Sequence, residues 1–114
     1  MKLKKSDEKK EFELMKEKFK EKVLFFSNKI NVRPSGIYFR KMKRKWASCS
    51  TKGKISFNIS LLDKTDKFQN AVIVHELIHL IVPNHSKLFK SMFLSFMPDG
   101  EKILSEGMKN SIFL

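Results

Sequence analysis

The chain has 114 residues, of which 41% are hydrophobic and 32% are charged, and its formal net charge is +12. This length suits one domain with one modest core, and the hydrophobic content argues against a wholly disordered chain. The single cysteine, Cys49, excludes an intramolecular disulfide, and the apolar runs are too short to span a membrane. We therefore expect one cytoplasmic domain over residues 1–114, with no membrane segment.

Positive charge is concentrated in the middle third of the chain. Residues 27–62 contain nine Lys and Arg residues and no Asp or Glu. A segment of this kind attracts nucleic acid, nucleotides or acidic polypeptide. The alternative is a solvated basic sheet face that only aids solubility.

The first thirty residues predict one long amphipathic helix, because apolar side chains recur at spacings of three and four. This stripe consists of Phe12, Met15, Phe19, Val23, Phe26 and Ile30. We expect the helix to end near residue 30, ahead of Pro34 and Gly36, and its stripe to pack on the core. The alternative is that this helix mediates self-association.

The middle of the chain predicts three short strands, at residues 37–42, 45–49 and 55–59. In the third, Ile55, Phe57 and Ile59 alternate with polar residues, which indicates one buried face. Gly53 lies where a hairpin between the second and third strands needs a positive φ. We therefore predict a small antiparallel three-stranded sheet, whose edge is a second candidate for self-association.

The C-terminal half predicts three helices, at about residues 66–81, 86–96 and within 97–110. The element order is therefore one helix, a small sheet and three helices, which is an α+β layout.

All three histidines of the chain fall within residues 75–85, in the sequence HELIHLIVPNH. On a helix, His75 and His79 lie one turn apart on the same face, so both imidazoles can bind one metal ion. Glu76 lies about 100° further round, near enough to act as a general base without being a ligand. Pro83 ends the helix and allows the chain to bring His85 back as a third ligand.

Three histidine ligands leave an open coordination position, which is typical of catalytic zinc sites. The predicted cofactor is therefore one Zn²⁺ ion per chain, and the predicted reaction is hydrolysis of an amide bond in a polypeptide substrate. Two alternatives remain. The histidines form part of a packed core without a metal, or Cys49 completes a closed structural zinc site.

The sequences RKWASCSTKGKISFNISLL and VIVHELIHLIVPNHSKLF resemble the YgjP-like metallopeptidases, relatives of the WLM and SprT-like groups within the zincins. The resemblance covers roughly residues 40–105 and implies a zincin-like fold with His75, His79 and His85 as zinc ligands and Glu76 as general base. In its compactness the chain also resembles single-domain archaeal metallopeptidases such as selecase. The family analogy gives the substrate-binding strand to residues 55–60, with contacts from Ile55, Phe57, Asn58 and Ser60.

Two other functions remain open at this stage. The basic segment is compatible with a zinc hydrolase of nucleotides or other phosphoanhydrides, although the chain has no phosphate-cradling Gly-rich loop. The SprT-like relatives suggest instead a peptidase that binds nucleic acid, with Lys43, Arg44 and Lys45 on phosphates and Trp46 or Tyr38 available for stacking.

Overall fold

The computed structural model describes residues 5–108 of the chain. Its elements are α1 (Lys5–Ile30), β1 (Gly36–Arg40), β2 (Ala47–Cys49), β3 (Lys54–Asn58), a short 3₁₀ helix (Ile59–Asp63), α2 (Asp66–Ile78), α3 (Lys87–Phe96) and α4 (Gly100–Met108). The predicted α+β layout is confirmed. Within the described range, no helix is both long enough and apolar enough to cross a bilayer.

The first helix ends where its sequence predicts. Asn31 adopts a left-handed backbone conformation with φ of 63°, and the amide of Val32 returns to the carbonyl of Ser27 at 2.9 Å. Asn tolerates this conformation better than most residues, so it serves as the helix terminator. The predicted apolar stripe packs on the core, with Phe19 only 1% exposed.

The sheet is mixed, which corrects the prediction of an antiparallel sheet. The strand order is β1-β3-β2, and β3 pairs parallel with β1 and antiparallel with β2. The predicted hairpin joins β2 to β3, with Gly53 at a φ of +83°. An alternating pattern identifies strands but not their neighbours, and here β3, with Ile55 and Phe57 in the core, lies between β1 and β2.

Side chains of the sheet alternate between two faces. The inner face packs against the core, where Ile55 and Phe57 are fully buried and the ring of Phe19 meets that of Phe57 edge-on at 4.8 Å. Register places Tyr38, Ser56 and Ser48 in one row on the outer face. The outer face is therefore polar, whereas the inner face is aromatic and aliphatic.

Helix α2 is the central helix of the fold, and nine of its thirteen residues are buried. Thr65 caps it by accepting a hydrogen bond from the amide of Phe68 at 3.2 Å. The Lys22 ammonium on α1 pairs with Asp66 in the first turn, where a carboxylate also complements the helix dipole.

The end of α2 lies three residues earlier than predicted. The helix stops at Ile78, and the next amides bond to carbonyls three residues back, from His79 to Glu76 at 3.1 Å and from Ile81 to Ile78 at 2.9 Å. The last turn is therefore of the 3₁₀ type, and the α-helix ends before Pro83. This last turn also directs the chain back toward α2, which places His85.

Candidate metal centre

Three histidine side chains converge at the end of α2. Each of His75, His79 and His85 offers one ring nitrogen, and these atoms all lie within 4.8 Å of one another. The Nε2 atoms of His79 and His85 are 3.0 Å apart. Two imidazoles on one tetrahedral zinc ion have nitrogens about 3.3 Å apart, since each Zn–N bond is about 2.0–2.1 Å. The donor set therefore fits a single ion of this kind.

The turn after α2 fixes the orientation of His79. Its Nδ1 lies 3.1 Å from the carbonyl oxygen of Val82, which is a hydrogen bond from the ring N–H to the backbone. That bond leaves the lone pair on Nε2, the atom facing His85. Burial lowers the pKa of His79, so this imidazole is held in the neutral form that a metal requires.

One phenylalanine contacts all three histidines. The centroid of the Phe89 ring lies 4.9 Å from that of His75, 4.5 Å from His79 and 5.0 Å from His85. Phe89 is 4% exposed and lies in the first turn of α3, which Ser86 caps through the amide of Phe89 at 3.3 Å. The imidazoles therefore rest on an apolar support that belongs to a separate helix.

Glu76 lies beside the histidines, buried at 8% exposure. Its Oε1 is 3.7 Å from Nδ1 of His75. Both residues line an open cleft of about 890 Å³ that runs between α2 and β2. The cleft therefore exposes the three ring nitrogens and one carboxylate to a common space.

Cys49 lines the same cleft but is not part of the histidine cluster. Among residues 5–108, no Cys, Asp or Glu joins the three histidines within ligand distance of one another. Burial, and then the negative charge of Glu76, raise the pKa of the Cys49 thiol. The geometry thus does not bring Cys49 in as the fourth ligand of a closed site.

The predicted substrate-binding strand is wrong in its position. Ile55, Phe57 and Asn58 belong to the central strand β3, where both edges are already paired and exposure is 1% or less. Ser60 lies beyond the strand in the 3₁₀ helix. A strand paired on both sides has no free backbone groups for a peptide. The side-chain amide of Asn58 instead holds the β1–β2 loop, because its Nδ2 donates to the backbone carbonyls of Met42 and Lys45 at 3.0 and 2.8 Å.

The strand that borders the cleft is β2. Hydrogen bonds from Asn58 to the carbonyl of Trp46 and from Ser50 to the carbonyl of Lys54 flank the pairs that Ala47 and Cys49 make with β3. In an antiparallel ladder this pattern turns the N–H and C=O groups of Ala47 and Cys49 away from β3. Strand β2 has only three residues and lacks the alternation of apolar and polar residues that marks β3, so its role as an edge strand could not be predicted from sequence.

Lys43, Arg44 and Lys45 are exposed in the loop between β1 and β2, and their predicted role with nucleic acid stays a prediction. Trp46 is 5% exposed and packs edge-on against Phe68 at 5.2 Å. It is therefore not available for stacking with a base, whereas Tyr38 is 45% exposed.

Comparison with known proteins agrees with this geometry. The family model "YgjP-like, metallopeptidase domain" matches residues 3–109. The fold is similar to the crystal structure of the metallopeptidase zymogen abylysin from Pyrococcus abyssi, with a TM-score of 0.74, 18% identity and coverage of 84% of this chain and 99% of that one. It is also similar to the zymogen jannalysin from Methanocaldococcus jannaschii, with a TM-score of 0.70, 22% identity and coverage of 80% and 94%. No curated protein matches the sequence significantly.

Proposed function

Because the chain belongs to the YgjP-like metallopeptidase family, we propose that it is a zinc-dependent endopeptidase acting on unfolded or flexible polypeptides. One observation carries the proposal: the nitrogens of His75, His79 and His85 converge within 4.8 Å beside a buried carboxylate and at an open cleft. We assign one zinc ion per chain to these three histidines and the role of general base to Glu76.

A zinc ion held by the three histidines would polarise a peptide carbonyl and lower the pKa of a bound water molecule. Glu76 accepts a proton from the water that attacks the carbonyl carbon, and it delivers that proton to the amide nitrogen as the C–N bond breaks. Its position suits this role, because the carboxylate lies beside His75 and borders the open cleft.

The substrate in this proposal binds as an extended strand along the free edge of β2. Ala47 and Cys49 supply outward N–H and C=O groups for main-chain hydrogen bonds, which recognise any extended backbone with little side-chain preference. A folded protein has few unpaired extended segments, so this mode favours unfolded substrates. A small apolar pocket of about 180 Å³, lined by Val72, Leu104 and Met108 beside Glu76, accepts one apolar substrate side chain.

The first test is cleavage of an unfolded protein such as casein by zinc-loaded protein, followed by mass spectrometry of the fragments. The comparison is between wild type and Glu76→Gln, with the exposed Glu106→Gln as matched control. We expect fragments from wild type and the control and none from Glu76→Gln, with bound zinc equal in all three. Absence of fragments from zinc-loaded wild type would contradict the proposal, and phosphate release from nucleoside triphosphates would then favour a phosphoanhydride hydrolase.

The β2 edge has its own test. Proline at position 47 removes an N–H that does not pair with β3, which edge strands tolerate. We expect Ala47→Pro to raise KM with little change in kcat, whereas Ser48→Ala leaves both near wild type. Equal kinetics in Ala47→Pro and wild type would show that substrate binds elsewhere.

A further inference from the structure

The outer face of the sheet forms a second cleft on the far side of β2. It has a volume of about 460 Å³ and is lined by Tyr38, Arg40, Ser48, Cys49, Ser50, Lys54 and Ser56. This lining includes two cations and four hydroxyl-bearing residues, and it contains no carboxylate. The cleft is therefore suited to an anionic ligand.

The charge of this face is not neutralised locally. Residues 27–62 contain no Asp or Glu, and the ion pairs among residues 5–108 involve none of the cations of that segment. Arg40 and Lys54 are both exposed. Unpaired cations on one surface attract a polyanion and release its counterions on binding.

The exposed aromatic ring of Tyr38 indicates which kind of polyanion this face would bind. A Cβ atom built on Gly36 would lie 2.7 Å from Cε2 and 2.8 Å from the hydroxyl of Tyr38, so the ring lies over the glycine along the strand. The residue nevertheless remains 45% exposed. Gly36 thus provides the space in which an exposed ring is held against the sheet.

Cations lie on both sides of this ring along the strand direction. Lys54 is the register partner of Gly36, and Arg40 is two residues beyond Tyr38 on the same face. At about 3.3 Å per residue, the two cations flank the ring over about 13 Å. An aromatic ring between cations suits a chain that alternates bases with phosphates. A carboxylate gains nothing from the ring, because the ring face carries negative charge.

We propose that this outer face binds single-stranded nucleic acid, with a base stacked on Tyr38 and phosphates on Arg40 and Lys54. Stacking needs a base whose face is free, which excludes the interior of a duplex. Serine hydroxyls of Ser48 and Ser56 supply further hydrogen bonds to the backbone. The inference does not depend on the proposed peptidase activity, since no histidine lines this cleft.

The test is fluorescence anisotropy with labelled oligothymidylate, repeated with oligouridylate, over a range of salt concentrations. If Arg40 and Lys54 each contact one phosphate, the slope of log K against log salt is about −1.4, at about −0.7 per phosphate. The double variant Arg40→Gln, Lys54→Gln should bring this slope close to zero. The charge-matched Lys9→Gln, Lys10→Gln on α1 should leave it unchanged.

Variants of Tyr38 test the stacking separately. Tyr38→Ala should weaken binding roughly 5- to 150-fold, the usual cost of losing one base–aromatic stack. Tyr38→Phe should bind like wild type, and Gly36→Ala should bind less tightly because its Cβ displaces the ring. Equal thermal unfolding of all variants shows that the fold is kept.

Three results would overturn the proposal: no binding at low salt, wild-type affinity in Tyr38→Ala, or an unchanged salt slope in the Arg40 and Lys54 double variant. Displacement of the oligonucleotide by polyglutamate with no effect of Tyr38→Ala would assign the face to acidic polypeptide instead.

Discussion

Replacing Phe89 tests whether an apolar support on α3 controls the affinity of the histidines for zinc. The ring contacts all three imidazoles at centroid distances of 4.5–5.0 Å, so Phe89→Leu keeps an apolar side chain but removes the ring that orients them. Loss of one residue that orients metal ligands typically reduces affinity 10- to 100-fold, which is about 1.4–2.7 kcal/mol of binding free energy. Because leucine is smaller than phenylalanine and position 89 is buried, the exchange should also cost about 0.5–3 kcal/mol of stability.

The assay is a zinc titration of metal-free protein in competition with a chromophoric chelator, alongside thermal unfolding of the same samples. Phe93→Leu is the matched control, because Phe93 is equally buried but its ring lies beside His75, at 5.7 Å, and not at the centre of the three imidazoles. We expect the two variants to lose similar stability but only Phe89→Leu to lose most of the affinity. Wild-type affinity in Phe89→Leu, or equal losses in both variants, would refute the reasoning.

Three further predictions concern titration and packing. Burial and then the charge of Glu76 raise the pKa of Cys49. Iodoacetamide should therefore alkylate Cys49 slowly in the zinc-free protein at neutral pH, and Glu76→Gln should shift the dependence of the alkylation rate on pH to lower pH. Burial lowers the pKa of His79, so the unfolded chain binds more protons below about pH 6.5 and the zinc-free protein should lose stability as pH falls through that range, as thermal unfolding would record. Asn58→Ala should cost about 3 kcal/mol in urea denaturation, because Asn58 is 1% exposed and makes three side-chain hydrogen bonds.

Each of these has an outcome that contradicts it. A rate profile for Cys49 that is the same in Glu76→Gln would place the carboxylate too far away to act on the thiol. His79→Gln should flatten the pH dependence of stability, and an unaltered profile would assign it to other groups. A loss below about 1 kcal/mol in Asn58→Ala would mean that water replaces the amide in holding the loop carbonyls.

The metal centre could be predicted from sequence because its geometry is local. Spacing on a helix determines that His75 and His79 share a face, and Pro83, which follows His79 by four residues, required a turn before His85. The position of that turn was predicted less well, since α2 tightens from Ile78 onward through hydrogen bonding that depends on its packing. Local rules therefore predicted which residues meet, and tertiary contacts determined where the helix ends.

The sheet could not be predicted to the same degree. Gly53 identified the hairpin between β2 and β3, but the position of β1 depends on contacts across the chain, such as the ring of Phe39 against Phe19 at 5.5 Å. Parallel pairing of β1 with β3 leaves no local signature, because no turn joins the two strands. Because this pairing could not be predicted, β3 was expected to be an edge strand, whereas it is the central strand.

The short chain distance between the metal ligands has a thermodynamic consequence. His79 and His85 are six residues apart, so an ion that joins them closes a small loop, and the entropy it removes from the unfolded chain is only about 1.6 kcal/mol plus a constant. The core around Phe19, Ile55 and Phe57 lies outside that loop and closes much longer ones through its own contacts. Removal of zinc by a chelator should therefore unfold the segment between α2 and α3 while the rest of the domain stays folded. A zinc finger, by contrast, unfolds completely without its metal. Hydrogen exchange of chelated protein should show lost protection confined to about residues 78–89.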